Sequence, residues 1–255
     1  MSSSKDNYVL FGIDFRNNPE EKELIRLIRE EPSKKPVVFC LGDAGTGKTF
    51  TALAAALSLV RGKAEKKKYK EIYYVREPVE LGHRLGYLKG REEDKFAPYL
   101  GPLLDNYNHL MKNNKDESSF IRKERITNKK ASIDPLPEAY RRLPKDIIPL
   151  APEFLRGRSF EEAIILVDEA QNLTLNEIQT FVTRLGPFTK MVLLGSVNQI
   201  DIPNQSIEKN DFMTAYSILE PTGLVGFVKL EKPMRSSFVG IFDQCFVDYK
   251  KKGKL

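Results

Sequence analysis

Cysteine and histidine are scarce in this chain, and long apolar runs are missing. Two cysteines and two histidines among 255 residues are too few for a disulfide framework or a zinc site. We expect Cys40 and Cys245 to be small buried hydrophobic residues in a reducing compartment. No apolar run approaches the ~18 residues of a membrane span, and MSSSKDNYVL lacks the apolar core of a signal peptide. These absences predict a cytoplasmic protein without a membrane segment.

The length and charge of the chain favour one large domain that binds a polyanion. With 41% hydrophobic residues and a net charge of +6, the chain has enough apolar surface for an α/β core and a modest basic excess. Lysine and arginine cluster at 61–70, at 111–130 and in the tail KKKGKL. Such clusters are as often solvated surface as binding surface. We expect a single domain over 1–255, with an N-terminal extension at 1–18 and a flexible basic insertion at 111–135.

The stretch PVVFCLGDAGTGKT at 36–49 predicts a nucleotide site. Its apolar start is typical of a strand buried on both faces, and the spacing G-x-x-x-x-G-K-T is that of a phosphate-binding loop. The helix that follows, from Lys48 to about Arg61, directs its positive end at the anion. Lys48 would contact the terminal phosphates, and the Thr49 hydroxyl would bind Mg²⁺. The predicted nucleotide-binding residues are Gly42, Asp43, Ala44, Gly45, Thr46, Gly47, Lys48, Thr49 and Phe50.

A second apolar run, Ala163 to Val167, ends in Asp168 and Glu169. A carboxylate at the tip of a strand beside the phosphate loop is where a nucleotide-bound metal needs a ligand, so we expect Asp168 to hold Mg²⁺ through water. Glu169 is placed to accept a proton from, or to orient, the attacking water. The alternative is an ordinary strand end that caps the helix at 174–185.

Two further polar residues follow predicted strands. Gln199 lies after the buried run 191–194, where it could contact the γ-phosphate or the attacking water. Arg235 follows the strand at 224–230 and could stabilise charge on the transferring phosphoryl group. A surface salt bridge is the simpler explanation for Arg235. The remaining elements expected are a short β segment at 8–15, a strand at 71–76, and helices at 19–31 and from about 91 to 112.

These motifs together resemble the PhoH-like family of P-loop ATPases, relatives of superfamily 1 helicase motor domains. The resemblance runs from about residue 19 to about 248 and depends on several spaced motifs: GDAGTGKT at 42–49, REPVELGHRLGYLKG at 76–90, APEFLRGRSF at 151–160, ILVDEAQNLT at 165–174, TRLG at 183–186, LLGSVNQID at 193–201 and MRSSFV at 234–239. The resemblance implies a single RecA-like domain whose mostly parallel sheet is flanked by helices. It also implies hydrolysis of ATP with Mg²⁺, and binding of RNA or single-stranded DNA by a homo-oligomer, a hexameric ring.

The chain departs from the family pattern at three places, one of which is Arg235-Ser236-Ser237, where the family pattern has Arg-His-Pro. Family members carry Asp after the glycine of the fourth-strand turn, where this chain has Ser196. Relatives often place Gln ahead of the first helix to read adenine, and Glu21 lies near that position. A carboxylate can accept from the adenine amine but cannot donate to the ring nitrogen.

Three functions remain open from the sequence. In a motor, a second copy of the chain must supply the moving partner surface, and Arg184 or Arg235 would act on a neighbour's ATP. A switch would report its nucleotide state to a protein partner without motor activity, which Ser196 and the lack of a second RecA-like domain favour. A small-molecule kinase is the third reading, but DEAQ with a downstream Gln is typical of hydrolases.

Overall fold

The computed structural model describes residues 8–62, 69–76, 96–112, 137–155, 157–196 and 210–232, together with Glu93, Cys245 and Tyr249. Two predicted site residues, Gln199 and Arg235, lie outside the described residues. So does the insertion predicted at 111–135, apart from its first two positions.

A six-stranded sheet forms the centre of the fold, and every pairing in it is parallel. Its strands are β3 (Val37–Gly42), β4 (Glu71–Arg76), β5 (Ile147–Leu150), β6 (Ala163–Asp168), β7 (Lys190–Gly195) and β8 (Val225–Leu230). They lie side by side in the order β5-β4-β6-β7-β3-β8. β3, β6 and β7 are buried at every residue, which is why each reads as a continuous apolar run. The predicted α/β class with a parallel sheet is confirmed.

The structure refines the β segment predicted at 8–15, adds one strand, and corrects one expectation about which strands are neighbours. The segment 8–15 is a small antiparallel ribbon of β1 (Val9–Leu10) and β2 (Ile13–Asp14), separate from the main sheet. β5 was not predicted, because Pro149 interrupts its apolar pattern; it is an edge strand, where the missing amide of proline does little harm. The strand that carries Asp168 is not beside the strand of the phosphate loop, because β7 lies between β6 and β3.

Six α-helices accompany these strands in the described part of the chain. They are α1 (Pro19–Arg29), α2 (Lys48–Val60), α3 (Gly101–Met111), α4 (Glu138–Arg142), α5 (Leu175–Val182) and α6 (Asp211–Leu219). Asn18 caps α1 by accepting from the amides of Glu20 and Glu21. The range 91–112, expected to be one helix, contains a 3₁₀ turn at Ala97–Leu100 that is followed directly by α3, and Pro102 lies in the first turn of α3, where proline is tolerated.

The two faces of the sheet carry separate apolar cores. Alternate residues of β3 point to opposite sides, so that Val38 and Cys40 join the core under α1, α2 and α3, and Phe39 joins the core under α5 and α6. Cys40 is buried as expected, whereas Cys245 is exposed, which corrects the expectation that both cysteines are internal. No helix among the described residues is long and apolar enough to cross a bilayer.

Two buried polar contacts connect the helices to the sheet. The Lys190 ammonium at the start of β7 donates to the carbonyls of Leu27 and Glu30, at 2.8 and 2.7 Å. It therefore supplies hydrogen bonds to carbonyl groups at the C-terminal end of α1, where the helix itself provides no donors. Arg61, just after α2, forms a buried ion pair with Asp146, the residue before β5. These contacts help to hold α1 and α2 against the same face of the sheet.

Candidate nucleotide-binding site

The phosphate loop connects β3 to α2 at the carboxyl edge of the sheet. Gly45 and Gly47 have φ values of 79° and 85°, the left-handed region that favours glycine. A Cβ atom added to Gly42 would lie only 2.7 Å from the Leu230 carbonyl oxygen and from Thr46 Oγ1. Gly42 therefore has no room for a side chain, because Leu230 of β8 and Thr46 pack against it, and Gly45 and Gly47 allow the loop conformation that a phosphate cradle requires.

The first turn of α2 fits an anion. Its N-cap is Gly47, no side chain among the described residues caps it, and its first turn contains no acidic residue. The amides at a helix N-terminus need acceptors and carry the positive end of the helix dipole. A phosphate group would supply both the acceptor oxygens and the negative charge.

Lys48 begins α2, and its ammonium reaches back over the loop. Its Nζ atom donates to the carbonyl of Gly42 at 2.6 Å and to that of Asp43 at 3.0 Å. Both acceptors belong to the loop itself, so the positive charge lies directly over the residues that the sequence predicts to bind phosphate. The role of Lys48 toward the terminal phosphates stays a prediction.

Thr49 and Asp168 are brought into contact although their strands are not neighbours. The Thr49 hydroxyl donates to Asp168 Oδ1 at 2.9 Å, because α2 starts at the end of β3 and leans across β7 toward β6. Tyr74, a buried residue of β4, donates its hydroxyl to Asp168 Oδ2 at 2.6 Å. Burial raises the pKa of Tyr74 well above its usual value, and the charge of Asp168 adds to this. The tyrosine is therefore a permanent donor to the carboxylate.

Glu169 adopts an unusual backbone conformation, with φ of 53°. Such strain is rare outside glycine and is often found at functional sites. Its Oε2 atom accepts from the Gln171 side chain at 2.7 Å, and the Oε1 atom of Gln171 accepts from the backbone amide of Ser196 at 2.9 Å. The fully buried Gln171 thus connects Glu169 to the end of β7.

Ser196 itself has a buried hydroxyl without a hydrogen-bond partner in the described part of the chain. From the resemblance of the sequence, a carboxylate is expected at this position. The shorter side chain leaves the turn after β7 connected to Glu169 through its backbone amide alone, as far as the described residues extend.

The structure adds Arg76 to the site, a residue that the sequence did not single out. Arg76 ends β4 directly opposite Asp168 in the register of β4 and β6. Its two terminal nitrogens lie 3.7 Å from Asp168 Oδ2 and 3.8 Å from Glu169 Oε1. In the sequence Arg76 ends the run EIYYVR and begins the motif REPVELGHRLGYLKG, but neither pattern reveals which strand lies opposite.

The donor set fits a magnesium ion that arrives with a nucleotide. The described residues contain no group of three or more His, Cys, Asp or Glu side chains that could hold a metal. Mg²⁺ is usually held by one or two protein oxygens together with phosphate oxygens and waters. The Thr49 hydroxyl and the Asp168 carboxylate are oxygens of this kind, in contact with each other beside the phosphate loop.

The other predicted residues lie farther from this cluster. The carbonyl of Arg184 accepts from the Phe160 amide, at the end of the sheet where β6 begins, one strand length or roughly 20 Å from the loop. Glu21 is buried, and its carboxylate accepts from the Thr51 hydroxyl of α2 at 3.2 Å. A role for Glu21 in reading adenine stays a prediction.

Loop, helix and carboxylate have the relative positions that P-loop NTPases share, and the chain is of that class. A family model described as "PhoH-like protein" matches residues 15–244. The protein PhoH2 of Bacillus subtilis is 32% identical over 91% of this chain and 47% of its own length. A PhoH-like protein of Synechocystis is 34% identical over 78% of this chain and 52% of its own. The chain therefore belongs to the PhoH-like family.

The chain spans about half the length of these curated relatives. Among solved structures, an arterivirus nonstructural protein 10 helicase is similar, with a TM-score of 0.38 and 15% identity over 83% of this chain and 37% of that one.

Replacing Glu21 by glutamine is expected to stabilise the protein at neutral pH. Burial raises the pKa of Glu21 above its ordinary value of 4.5. A carboxyl group with a raised pKa in the folded state costs stability as the pH rises above that ordinary value, and the cost is absent below it. Glu21→Gln removes the charge but still accepts from Thr51. The melting temperature of Glu21→Gln should therefore exceed that of the wild type at pH 7 to 8, and the difference should vanish near pH 4.

Glu23, two residues along α1, is the matched control. A hydrogen bond from Arg26 lowers the pKa of Glu23, so Glu23→Gln should lose a little stability at pH 7, by an amount typical of an exposed ion pair. A lower melting temperature for Glu21→Gln than for the wild type at pH 8 would contradict the assignment.

Proposed function

We propose that this protein is an ATPase that nucleic acid stimulates and that works as a homo-oligomeric ring. The observation that carries the proposal is the contact between Thr49 and Asp168 beside Lys48, at the carboxyl edge of the sheet. In this reading Lys48 and the loop amides hold the phosphates. Thr49 and Asp168 hold a Mg²⁺ ion, which would supply charge neutralisation at the phosphates. Glu169 positions the attacking water, and the partner polynucleotide is RNA or single-stranded DNA.

The placement of Arg184 supports a ring. The residue lies at the end of the sheet opposite the phosphate loop, so it cannot reach the nucleotide of its own chain. In an oligomer that joins opposite ends of neighbouring subunits, Arg184 is available to a neighbour's phosphates, as arginine is in related phosphoryl-transfer sites.

The charge of the chain supports a nucleic-acid partner. A net charge of +6 with clustered lysines favours binding through phosphates, which weakens as salt concentration rises. A hexamer would present six copies of each cluster around one axis.

The second candidate is a nucleotide-dependent switch that binds a protein partner without motor activity. Ser196 favours it, because the family's carboxylate is replaced by a hydroxyl that makes no hydrogen bond to the described residues. A weaker connection between the turn after β7 and the bound nucleotide would suit slow turnover and a long-lived bound state.

Phosphate release and mass, measured together, test the proposal. We expect ATP hydrolysis to rise several-fold with single-stranded RNA or DNA at low salt, and the stimulation to fall at high salt. Light scattering with ATP and Mg²⁺ should give about six times the mass of one chain. A duplex of the same sequence serves as the comparison polynucleotide.

Two outcomes would overturn the motor reading. If no assembly forms at any concentration with ATP and Mg²⁺, and no polynucleotide raises turnover or binds at low salt, the switch is the better account. If the product is a phosphorylated small molecule and no free phosphate is released, the protein is a kinase.

A further inference from the structure

We propose that Arg76 is a positioning residue that balances the charges of Asp168 and Glu169 and keeps divalent cations from binding there in the absence of nucleotide. The inference builds on the proposed function, because it concerns the same two carboxylates. It is carried by the geometry of β4 and β6 and needs no nucleotide to be tested.

The position of Arg76 is imposed by the sheet. Arg76 and Asp168 are partners in the parallel register, so the two side chains leave adjacent strands at the same level. One terminal nitrogen of the guanidinium lies 3.7 Å from Asp168 Oδ2, and the other lies 3.8 Å from Glu169 Oε1. The Arg76 side chain is only 20% exposed, which limits the screening of these charges by water.

These distances are those of ion pairs and exceed the range of hydrogen bonds. The strong hydrogen bonds to Asp168 come from Thr49 and Tyr74, and that to Glu169 comes from Gln171. To the two carboxylates Arg76 therefore contributes mainly charge, and it also interacts with the Tyr74 hydroxyl. Without it, two adjacent carboxylates and the hydroxyl of Thr49 would form a cluster with a net charge of −2, which attracts any divalent cation.

With Arg76 in place, the net charge of the cluster is −1. A cation that arrives alone meets the repulsion of the guanidinium, whereas a cation that arrives with a triphosphate brings its own negative ligands. The nucleotide-free protein should thus bind divalent cations weakly. Glu169 would also keep its orientation, because its carboxylate is drawn toward Arg76 on one side and toward Gln171 on the other.

Mn²⁺ binding to the nucleotide-free protein, followed by electron paramagnetic resonance, is the decisive measurement. We expect Arg76→Gln and Arg76→Met to bind Mn²⁺ at least about tenfold more tightly than the wild type, because a positive charge within a few Å is removed. Arg76→Lys, which keeps the charge, should bind as weakly as the wild type. Adding Asp168→Asn to Arg76→Gln should abolish the gain.

A second readout separates charge from packing. For ATP hydrolysis, kcat should fall about tenfold or more in Arg76→Gln and Arg76→Met, while KM changes by less than about twofold, since the ion pairs of Arg76 are to Asp168 and Glu169. Arg76→Lys should recover most of kcat. Unchanged Mn²⁺ affinity in both neutral variants, or equal Mn²⁺ affinities in Arg76→Lys and Arg76→Met, would overturn the proposal.

The Mn²⁺ result is independent of turnover. If the wild type hydrolyses no nucleotide, the proposed function fails, yet the Mn²⁺ titration still decides the role of Arg76. If hydrolysis is present and the Mn²⁺ affinities do not respond to charge at position 76, the proposed function survives and this inference fails.

Discussion

Replacing Lys48 by alanine is expected to abolish ATP hydrolysis while leaving the fold intact. The described structure places this ammonium on the phosphate loop, where it donates to the Gly42 and Asp43 carbonyls. Loss of a preorganised charge at a transferring phosphoryl group typically costs about 100-fold or more in rate. Phosphate release should fall to background, and ATP affinity, measured by calorimetry, should weaken.

Lys35 offers a matched control for this substitution. Its ammonium also donates to two backbone carbonyls, those of Gly223 and Val225, at 2.7 and 3.0 Å, but at the opposite end of the sheet. Lys35→Ala therefore removes the same side chain and the same kind of contacts without touching the site. Equal loss of hydrolysis in both variants, or full hydrolysis in Lys48→Ala, would contradict the assignment of the site.

The phosphate loop could be predicted from sequence because its information is local. The glycines, Lys48 and Thr49 lie within eight consecutive residues, and the strand before and the helix after them are both strongly patterned. The same holds for the apolar strand that ends in Asp168. In both cases, the chemistry depends on residues that are adjacent in the chain, so spacing alone specifies the geometry.

The rest of the site depends on which strands are neighbours, and spacing does not contain that information. β7 separates the loop strand from the Asp168 strand, so the contact between Thr49 and Asp168 depends on how α2 crosses the sheet. Arg76 faces Asp168 only through the register of β4 and β6. Tyr74 reads in the sequence as one more aromatic strand residue, although its hydroxyl is a donor to the carboxylate.

The connection from Glu169 to Ser196 is non-local in the same way. Gln171 is visible in the sequence as part of DEAQ, but its contact with the Ser196 amide joins the turns after β6 and β7, which are 25 residues apart in the chain. Both polar atoms of the Gln171 side chain make hydrogen bonds. Its Nε2 atom donates to the Glu169 carboxylate, and its Oε1 atom accepts from the Ser196 backbone amide. A substitution that moves Glu169 should therefore also shift the turn at Ser196, and a shift of that turn should move Glu169.

Replacing Glu169 by glutamine is the second substitution with a large expected effect. An amide cannot accept the proton of the attacking water, and general-base catalysis is typically worth about 10²- to 10⁴-fold. The carbonyl oxygen of the new side chain can still accept from Gln171, so the local structure should be retained. We expect single-turnover hydrolysis to fall by this factor while ATP affinity stays within about twofold of the wild type, which distinguishes Glu169→Gln from Lys48→Ala.

Glu162 supplies the control for this experiment. It precedes β6 as Glu169 follows it, both residues have φ of 53°, and its carboxylate pairs with Lys70 at the far end of the strand. Glu162→Gln makes the same chemical change in the same backbone conformation, remote from the loop, and should hydrolyse ATP at the wild-type rate. Retained hydrolysis in Glu169→Gln would mean that another group activates the water. The strained conformation of Glu169 would then serve to place its carboxylate against Gln171 and Arg76 rather than to accept a proton.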